Sequence, residues 1–383
     1  MLRSNSSTPL TPTLASRLWP ACYLLLAITS GAGERMTGPL SAGARRDTAF
    51  TELFRRSSGW IAGDGGLSVP LSDGRVLWLF GDSHVDDLDP ATGTMPCLFQ
   101  TRNAAFLHKT NDLHNVRTLI GTGPGFRSWL KNSTNDAEWL WPGCGFQVGG
   151  KVYLYLSAFR KTTAKGPFAF ENAGSDYWAK IRFPEMEPIS YLPLPAFNGI
   201  AFGQGFVKEG AQVYAFGQKP RGLGCDVFVA RFKSARPEAE WSFWDGTNWN
   251  SSVRNAAVIA QGRSSSVHIC KLKNRFLLTT SAFSVGCDQG KEIFMGTSRR
   301  PTGPFAPLQK IYTIEDTFQG HHPFFYFAVA HPEFINSQRE LLVTYSINNY
   351  EPCVPACANE RAIPDHYRPK AFRVPLTLID PDF

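Results

Sequence analysis

The sequence predicts an all-β protein with the fold of a five-bladed β-propeller. Strand–turn–strand units recur along the chain at intervals of about 60 to 76 residues, and no long stretch has the period of an amphipathic helix. Each interval is long enough for a four-stranded blade, so five such units predict five blades around one axis. The units lie at residues 66–82, 145–159, 205–218, 264–283 and 325–348.

Each unit has turn residues at its centre. In the first unit, Ser72, Asp73 and Gly74 form the turn, because glycine readily adopts the positive φ that a tight hairpin needs. The strand that follows, residues 76–80, is apolar on both faces, as expected for a strand packed between neighbouring blades. The later turns centre near Gly150, Gly210, Asn274 and Gln338.

The amino terminus resembles a secretion signal. Arg3 and Arg17 precede an apolar run at residues 18–29, and small residues follow at 30–32. We therefore predict a signal peptide at residues 1–32, a linker at 33–49, and one propeller domain at 50–383. The run is short for a membrane span, so we expect a secreted or periplasmic protein with no stable membrane insertion after cleavage; an uncleaved anchor is the alternative.

The composition limits the partners and cofactors. The net charge is +7, but much of the excess lies in the first 56 residues, and no basic cluster is interleaved with stacking aromatics, so we expect no nucleic-acid partner. Cysteine and histidine spacings do not fit a zinc site, so we predict no metal ligands and no cofactor, leaving open a structural cation at the channel axis.

Eight cysteines are present, and Cys22 falls within the predicted signal. The remaining seven are an odd number, so at least one has no partner within the chain. Cys353 lies close in sequence to Cys357, and Cys270 and Cys287 flank one hairpin. Both pairings are candidate disulfides.

Two aspartates bound the first hairpin, and each follows a glycine. If Leu71 pairs with Arg75 across the turn, Asp64 lies opposite Asp82. Opposed side chains have Cβ atoms about 4.5–5.5 Å apart, and two carboxylates so close raise one pKa. One acid and one base would thus arise from identical side chains. The alternative is that each aspartate only caps a turn.

The ends of the inner hairpins should converge on one pocket. The same pairing places Glu138 and Trp139 near Arg160, Ala201 near Gln218, and residues 266–267 near residues 282–283. An acid pair within a polar and aromatic cleft is typical of a carbohydrate site, so we predict a polysaccharide or oligosaccharide ligand. The candidate substrate-binding residues are Glu138, Trp139, Arg160, Gln218, His268 and Asn348.

Several of these residues have simpler interpretations. Glu138 is the leading candidate for a third acid beside Asp64 and Asp82, but it could be a solvated loop residue. His268 could be an interior histidine with satisfied hydrogen bonds. Arg160 could lower the pKa of an acid or hold a sugar hydroxyl. Asp86, Asp87 and Asp89 could reach the pocket or form a solvated acidic loop.

The motif GWIAGDGGLSVPLSDGRVLWLFGDS at residues 59–83 resembles the signature of a group of secreted bacterial five-bladed propellers catalogued as domains of unknown function. Some members of this group are endo-D-arabinanases, which are glycoside hydrolases. The resemblance covers about residues 50 to 375 and extends to WLWPGCGFQVGGKVYLYL at 139–156. It implies that Asp64 and Asp82 are catalytic carboxylates. It also implies a glycan substrate that is arabinan-like or otherwise contains furanose units.

Two positions depart from the family pattern. Cys144 stands where relatives often have aspartate, and Ser265 and Ser266 occupy a stretch where relatives often have glutamate. These departures motivate the alternative of a non-catalytic carbohydrate-binding propeller. A protein-interaction propeller is a further alternative, because fold alone does not determine function.

Overall fold

The computed structural model describes residues 43–99, 101–122, 127–131, 137–165, 169–348, 353–354 and 357–383. Their strands form five blades, each a sheet of antiparallel strands, which confirms the predicted all-β propeller. The predicted signal peptide lies outside the described residues. Within the described residues, no helix has both the length and the apolar character needed to span a bilayer.

The chain enters the propeller through strand β1 (Arg45–Arg46), helix α1 (Thr48–Thr51) and a 3₁₀-helix (Glu52–Phe54). Blade one and its outer connection then contain β2 (Trp60–Pro70), β3 (Arg75–Val85), β4 (Met95–Pro96), β5 (Ala104–Lys109) and β6 (Asp112–Leu119). Blade two contains β7 (Glu138–Val148), β8 (Lys151–Lys161), β9 (Phe170–Arg182) and β10 (Glu187–Pro193).

Blade three contains β11 (Ala201–Glu209), β12 (Gln212–Arg221), β13 (Gly224–Lys233), β14 (Ser242–Trp244), β15 (Trp249–Asn250), a 3₁₀-helix (Val253–Asn255) and β16 (Ala260–Gly262). Blade four contains β17 (Val267–Leu272), β18 (Arg275–Ser281), β19 (Glu292–Ser298) and β20 (Gln309–Thr313). The last part of the chain contains β21 (Phe324–His331), a 3₁₀-helix (Pro332–Phe334), β22 (Glu340–Asn348), β23 (Arg361–Ala362), a 3₁₀-helix (Pro364–His366), β24 (Lys370–Pro375) and helix α2 (Leu376–Ile379).

Blade five joins the two ends of the chain. Its strand order is β21, β22, β24 and β1, with Arg45 paired with Arg373 and Arg46 paired with Phe372. Arg45 and Arg46 are therefore part of the propeller and not of the predicted linker, because their backbone completes this sheet. Pairing the first strand with the last closes the ring.

The core lies between blades. In β3, Leu77 and Leu79 pack in the apolar cluster shared with blade two, whereas Trp78 and Phe80 pack in the cluster shared with blade five. All four side chains are fully buried, which confirms that this strand is sandwiched between neighbours. Burying one such side chain stabilises the fold by about 1.5–3 kcal/mol.

The hairpin registers agree with most of the predicted pairings. Gly63 pairs with Ser83 and Val69 with Leu77, so paired numbers sum to 146 as predicted. Glu138 pairs with Arg160, and Ala201 pairs with Gln218. In blade four the prediction was wrong by two to three residues: Val267 pairs with Thr280, because the tight turn at 273–274 shortens the hairpin.

Both candidate disulfides were wrong. The structure pairs Cys97 with Cys357 and Cys287 with Cys353, at Cα–Cα distances of 5.4 Å and 4.9 Å. Proximity along the chain was misleading, because the segment holding Cys353 and Cys357 lies between loops of blades one and four. Of the other described cysteines, Cys144, Cys225 and Cys270 are free.

Candidate active site

The first hairpin is irregular where its two aspartates meet. β2 and β3 pair Gly63 with Ser83 and then Gly65 with Phe80, so Asp64 lies opposite both Gly81 and Asp82. This arrangement is a β-bulge, a device that re-aims side chains and is common next to active sites. The predicted proximity of Asp64 and Asp82 is confirmed, although a bulge replaces the simple cross-strand pair.

Glycines make this geometry accessible. Gly65 and Gly66 have φ angles of +102° and +73°, in a region that other L-residues rarely adopt. A Cβ atom on Gly81 would lie 2.6 Å from Oδ1 of Asp64, which is closer than van der Waals contact allows. The glycines around each aspartate therefore permit both the bulge and the close approach of the carboxylates.

Asp64 is held by two tyrosines of blade five and its following loop. The Tyr326 hydroxyl donates to Oδ2 of Asp64 at 2.8 Å. Burial raises the pKa of Asp64 to about 6, against the lowering effect of hydrogen bonds from Tyr326 and Tyr367. These donors stabilise the carboxylate once it is ionised.

Asp82 is held by blade two and by an arginine of blade one. The Trp141 indole donates to Oδ1 at 3.0 Å, and Arg102 Nη1 lies 3.3 Å from Oδ2. Burial raises the pKa of Asp82 to about 7, and the neighbouring charge of Asp64 adds to this effect, while Arg102 and Trp141 oppose it. The Arg102 guanidinium lies over the Trp139 ring, 4.1 Å from its centroid.

The two aspartates titrate as a coupled pair. Both carboxyl groups have pKa values raised toward neutrality, first because they are buried and then, for Asp82, because Asp64 is close. Such a pair holds one proton at a pH where ordinary aspartates hold none. The pair can therefore donate a proton and present a carboxylate at the same time.

The aspartates lie in a cleft of about 1650 Å³. This volume exceeds the 300–1,000 Å³ typical of sites for small ligands. Blade two contributes an aromatic wall that includes Trp139, Trp141 and Phe170, and blade four contributes serine hydroxyls at Ser265 and Ser266. The cleft thus combines flat apolar surfaces with many hydrogen-bonding groups.

Four of the predicted substrate-binding residues line this cleft, namely Glu138, Trp139, Arg160 and Asn348. The Arg160 guanidinium pairs with Glu171 at 2.8 Å, and no described ion pair joins Arg160 to Asp64 or Asp82. The arginine that contacts an aspartate is Arg102, which lies elsewhere in the sequence.

The prediction that Gln218 and His268 bind substrate is not supported by their positions. Neither occurs among the described residues that line the cleft, and both are buried. Gln218 lies on β12 of blade three, which contributes no described residue to the cleft wall. His268 is an interior histidine whose Nδ1 accepts the Ala330 amide at 3.4 Å, and burial lowers its pKa to about 4.

The acidic loop after β3 is tied into the protein. Asp86 accepts the Gly59 amide at 2.6 Å. Asp87 Oδ2 lies 2.7 Å from Nδ1 of His84, a residue that lines the cleft. The interpretation of this loop as purely solvated is therefore wrong for Asp87, whereas Asp86 is exposed to solvent apart from its bond to Gly59.

Sequence reasoning missed Arg102, Tyr326, Tyr367 and His84. Tyr326 lies in the fifth predicted hairpin, two residues from its cleft-facing end. Pairing residues across the turn of that hairpin could therefore have located it. Arg102 and Tyr367 lie outside the inner hairpins, and no local pattern marks them. His84 follows Asp82 by two residues on one strand, which places both side chains on one face.

Among solved structures, a proposed hydrolase from Bacteroides ovatus ATCC 8483 is similar to this chain with a TM-score of 0.70 and 18% identity, covering 89% of this chain and 92% of that one. This likeness shows a shared fold. Xylan β-1,4-xylosidase from Bacillus halodurans C-125 has a TM-score of 0.46 at 10% identity, covering 82% of this chain and 52% of that one. Exo-β-1,3-galactanase from Phanerochaete chrysosporium has a TM-score of 0.46 at 13% identity, covering 88% and 64%.

Among curated proteins, none matches this chain in sequence. A protein-family model, in contrast, matches residues 47–376, which is most of the chain and the whole propeller apart from its two edges. This protein therefore belongs to the family described as "Domain of unknown function (DUF5005)".

Proposed function

We propose that this protein is a secreted glycoside hydrolase that cleaves a polysaccharide or oligosaccharide through Asp64 and Asp82, without an organic cofactor. One observation carries the proposal: two adjacent carboxyl groups, both with raised pKa values, lie in a large cleft beside aromatic side chains. Glycoside hydrolysis requires one carboxylic acid and one carboxylate flanking the scissile bond.

Asp82 is the proton donor in this mechanism. Burial and the neighbouring Asp64 raise the pKa of Asp82 to about 7, so it remains protonated in mildly acidic solution. As the glycosidic bond breaks, its proton passes to the oxygen of the leaving sugar. Trp141 fixes the carboxyl group through Oδ1, 3.0 Å from the indole nitrogen.

Asp64 supplies the negative charge that the transition state needs. It ionises before Asp82, because the hydroxyls of Tyr326 and Tyr367 hydrogen-bond to it. An ionised carboxylate beside the anomeric carbon stabilises the positive charge that develops on the sugar ring.

The surroundings of the pair suit a sugar chain. Trp139 and Phe170 provide apolar surface for ring faces, and Glu138 and Asn348 provide hydrogen-bonding groups for hydroxyls. The substrate that we propose is an arabinan-like or other furanose-containing glycan, in line with the motif at residues 59–83.

Secretion is part of the proposal. Two disulfides, Cys97–Cys357 and Cys287–Cys353, support an oxidising compartment, because structural disulfides are rare in reducing cytosol. The apolar run at residues 18–29 supports export.

The proposal is tested by incubating the mature chain with arabinan, arabinogalactan and other glycans and measuring released reducing ends. Asp64→Asn and Asp82→Asn should abolish release while binding of the same glycan persists in a pull-down with the insoluble polymer. Glycan binding without release by the wild type, unchanged in both variants, would instead support a carbohydrate-binding propeller, which the serines at 265–266 in place of an acid favour.

A further inference from the structure

A third titratable side chain lies beside the acid pair. His84 is on β3, two residues after Asp82, so the two side chains leave the strand on one face. His84 lines the same cleft. Its position raises the question of whether it takes part in the proposed reaction.

The imidazole of His84 has a fixed orientation. Nδ1 lies 2.7 Å from Oδ2 of Asp87, and both side chains are largely buried. Because a carboxylate only accepts hydrogen bonds, Nδ1 carries the proton, and Nε2 of the neutral ring is an acceptor. Within the described part of the chain, Nε2 has no hydrogen-bond donor.

The two aspartates differ from His84 in this respect. Asp64 already accepts hydrogen bonds from Tyr326 and Tyr367. Asp82 accepts from Trp141 and Arg102, and it serves as the proton donor in the proposed mechanism. His84, in contrast, presents to the cleft an acceptor nitrogen to which no described residue donates, so it can receive a proton from water.

The spacing along β3 suits such a role. The Cα atoms of residues two apart on a strand are separated by about 6.6 Å. Inverting glycosidases keep their acid and base about 6.5–9.5 Å apart, which leaves room for a water molecule at the sugar. The backbone spacing of Asp82 and His84 is therefore compatible with a water molecule held between the proposed acid and the proposed base.

We propose that His84 is the general base of this site, that Asp87 is its positioning residue, and that hydrolysis inverts the anomeric configuration. This inference rests on the proposed glycoside hydrolase function. Asp64 keeps its role as the anion that stabilises the transition state.

The water oxygen forms a bond to the anomeric carbon while the bond to the leaving oxygen breaks. The proton of Asp82 passes to the leaving oxygen, and one proton of the water passes to Nε2 of His84. After product release, His84 gives its proton to solvent and Asp82 takes one from solvent.

The groups around His84 favour this transfer. Asp87 faces the ring through Oδ2, and its Oδ1 has no donor within the described residues, so the carboxylate charge is available to the imidazolium that forms. Asp82 lies on the same strand, and Tyr367 meets the ring edge-on at a centroid distance of 6.4 Å.

The stereochemical test needs no variant. The wild type is given a glycan that it cleaves, and ¹H NMR records the first anomer released before mutarotation. Inversion is expected. Retention would overturn the inference while leaving the glycoside hydrolase function intact, and a wild type that cleaves no glycan would overturn both.

The second test uses substitutions. His84→Gln should lower kcat at least 100-fold, within the range for loss of a general base, and added azide should restore part of the rate. Asp87→Asn should cause a smaller loss of kcat with KM unchanged, because the His84 ring loses the hydrogen bond that orients it. The matched control is His114→Gln, an exposed histidine on the outer strand β6, which should leave kcat unchanged. A His84→Gln enzyme within threefold of wild type, with an unchanged melting temperature, would overturn the inference.

Discussion

Two positions of β2 hold polar side chains in different ways. At its fifth residue, Asp64 lies in an open cleft with its partner Asp82. Four residues later, about 13 Å along the strand, Ser68 belongs to a closed group with His331, Glu333 and Thr344, here called the axial cluster. None of these four residues is among the described residues that line the cleft.

The axial cluster satisfies its own polar groups. His331 is fully buried, with Nδ1 2.6 Å from the Ser68 hydroxyl and Nε2 2.9 Å from the Thr344 hydroxyl. Burial holds the pKa of His331 well below its usual value, so the ring is neutral. The acid pair instead keeps a proton that can leave. One strand thus supplies a reactive carboxyl group at Asp64 and a structural hydrogen bond at Ser68.

The largest expected difference concerns catalysis. On a glycan that the wild type cleaves, Asp82→Asn should lower kcat about 10²–10⁴-fold, the range for loss of a general acid. Glu333→Gln, an equally conservative change of a buried acid in the axial cluster, should change kcat less than tenfold. A Glu333→Gln enzyme as inactive as Asp82→Asn would remove the distinction between the two regions.

A substitution in the axial cluster should affect stability more than catalysis. His331→Ala removes a buried ring, leaves the Thr344 hydroxyl without its His331 partner, and leaves Ser68 with Glu333 alone. We expect a cost of about 2–4 kcal/mol of unfolding free energy. Denaturant melts measure this cost. The kcat of the remaining folded enzyme should stay close to wild type, and a selective loss of kcat without loss of stability would contradict the structural role.

Gly81→Ala tests the bulge. The new Cβ would lie 2.6 Å from Oδ1 of Asp64, so the carboxylate must move, and a displacement of about 1 Å can cost 10²-fold in rate. We expect kcat to fall about 10- to 100-fold. Gly150→Ala is the control, because its nearest neighbour would be at 3.8 Å and its φ is not positive. Equal rates for the two variants would indicate that Asp64 need not sit where the bulge places it.

The smallest effect is on stability as a function of pH. Because the pKa of Asp82 is raised to about 7 on folding, the folded state binds more protons than the unfolded state between about pH 4 and 7. Its contribution to stability is therefore lost as pH rises through this window. Asp82→Asn should raise the melting temperature by a few degrees at pH 8 and by less at pH 4. A gain that does not depend on pH would contradict the raised pKa.

Local pattern predicted the parts of the fold that local chemistry controls. The turn at Gly74 and the alternation of the strands located Asp64 and Asp82 within one residue of their observed register. The bulge was not predicted, because Gly65 and Gly66 read as ordinary turn residues until their positive φ angles are known.

Local sequence patterns do not predict contacts between blades. Tyr326 reaches Asp64 over 262 residues, and Cys97 reaches Cys357 over 260 residues. Only ring closure brings such segments together. Gln218 was misplaced for the same reason. Its predicted pairing with Ala201 was right, but the described residues that line the cleft belong to the other blades.

The proton shared by Asp64 and Asp82 is tested most directly by titrating the aspartate carboxyl groups by ¹³C NMR, in wild type and in Asp64→Asn. We expect a carboxyl group that titrates near pH 7 in the wild type and whose pKa falls when Asp64 loses its charge. Aspartate signals that all titrate below about pH 4.5 in the wild type would contradict the shared proton and, with it, the proposed acid of the hydrolase.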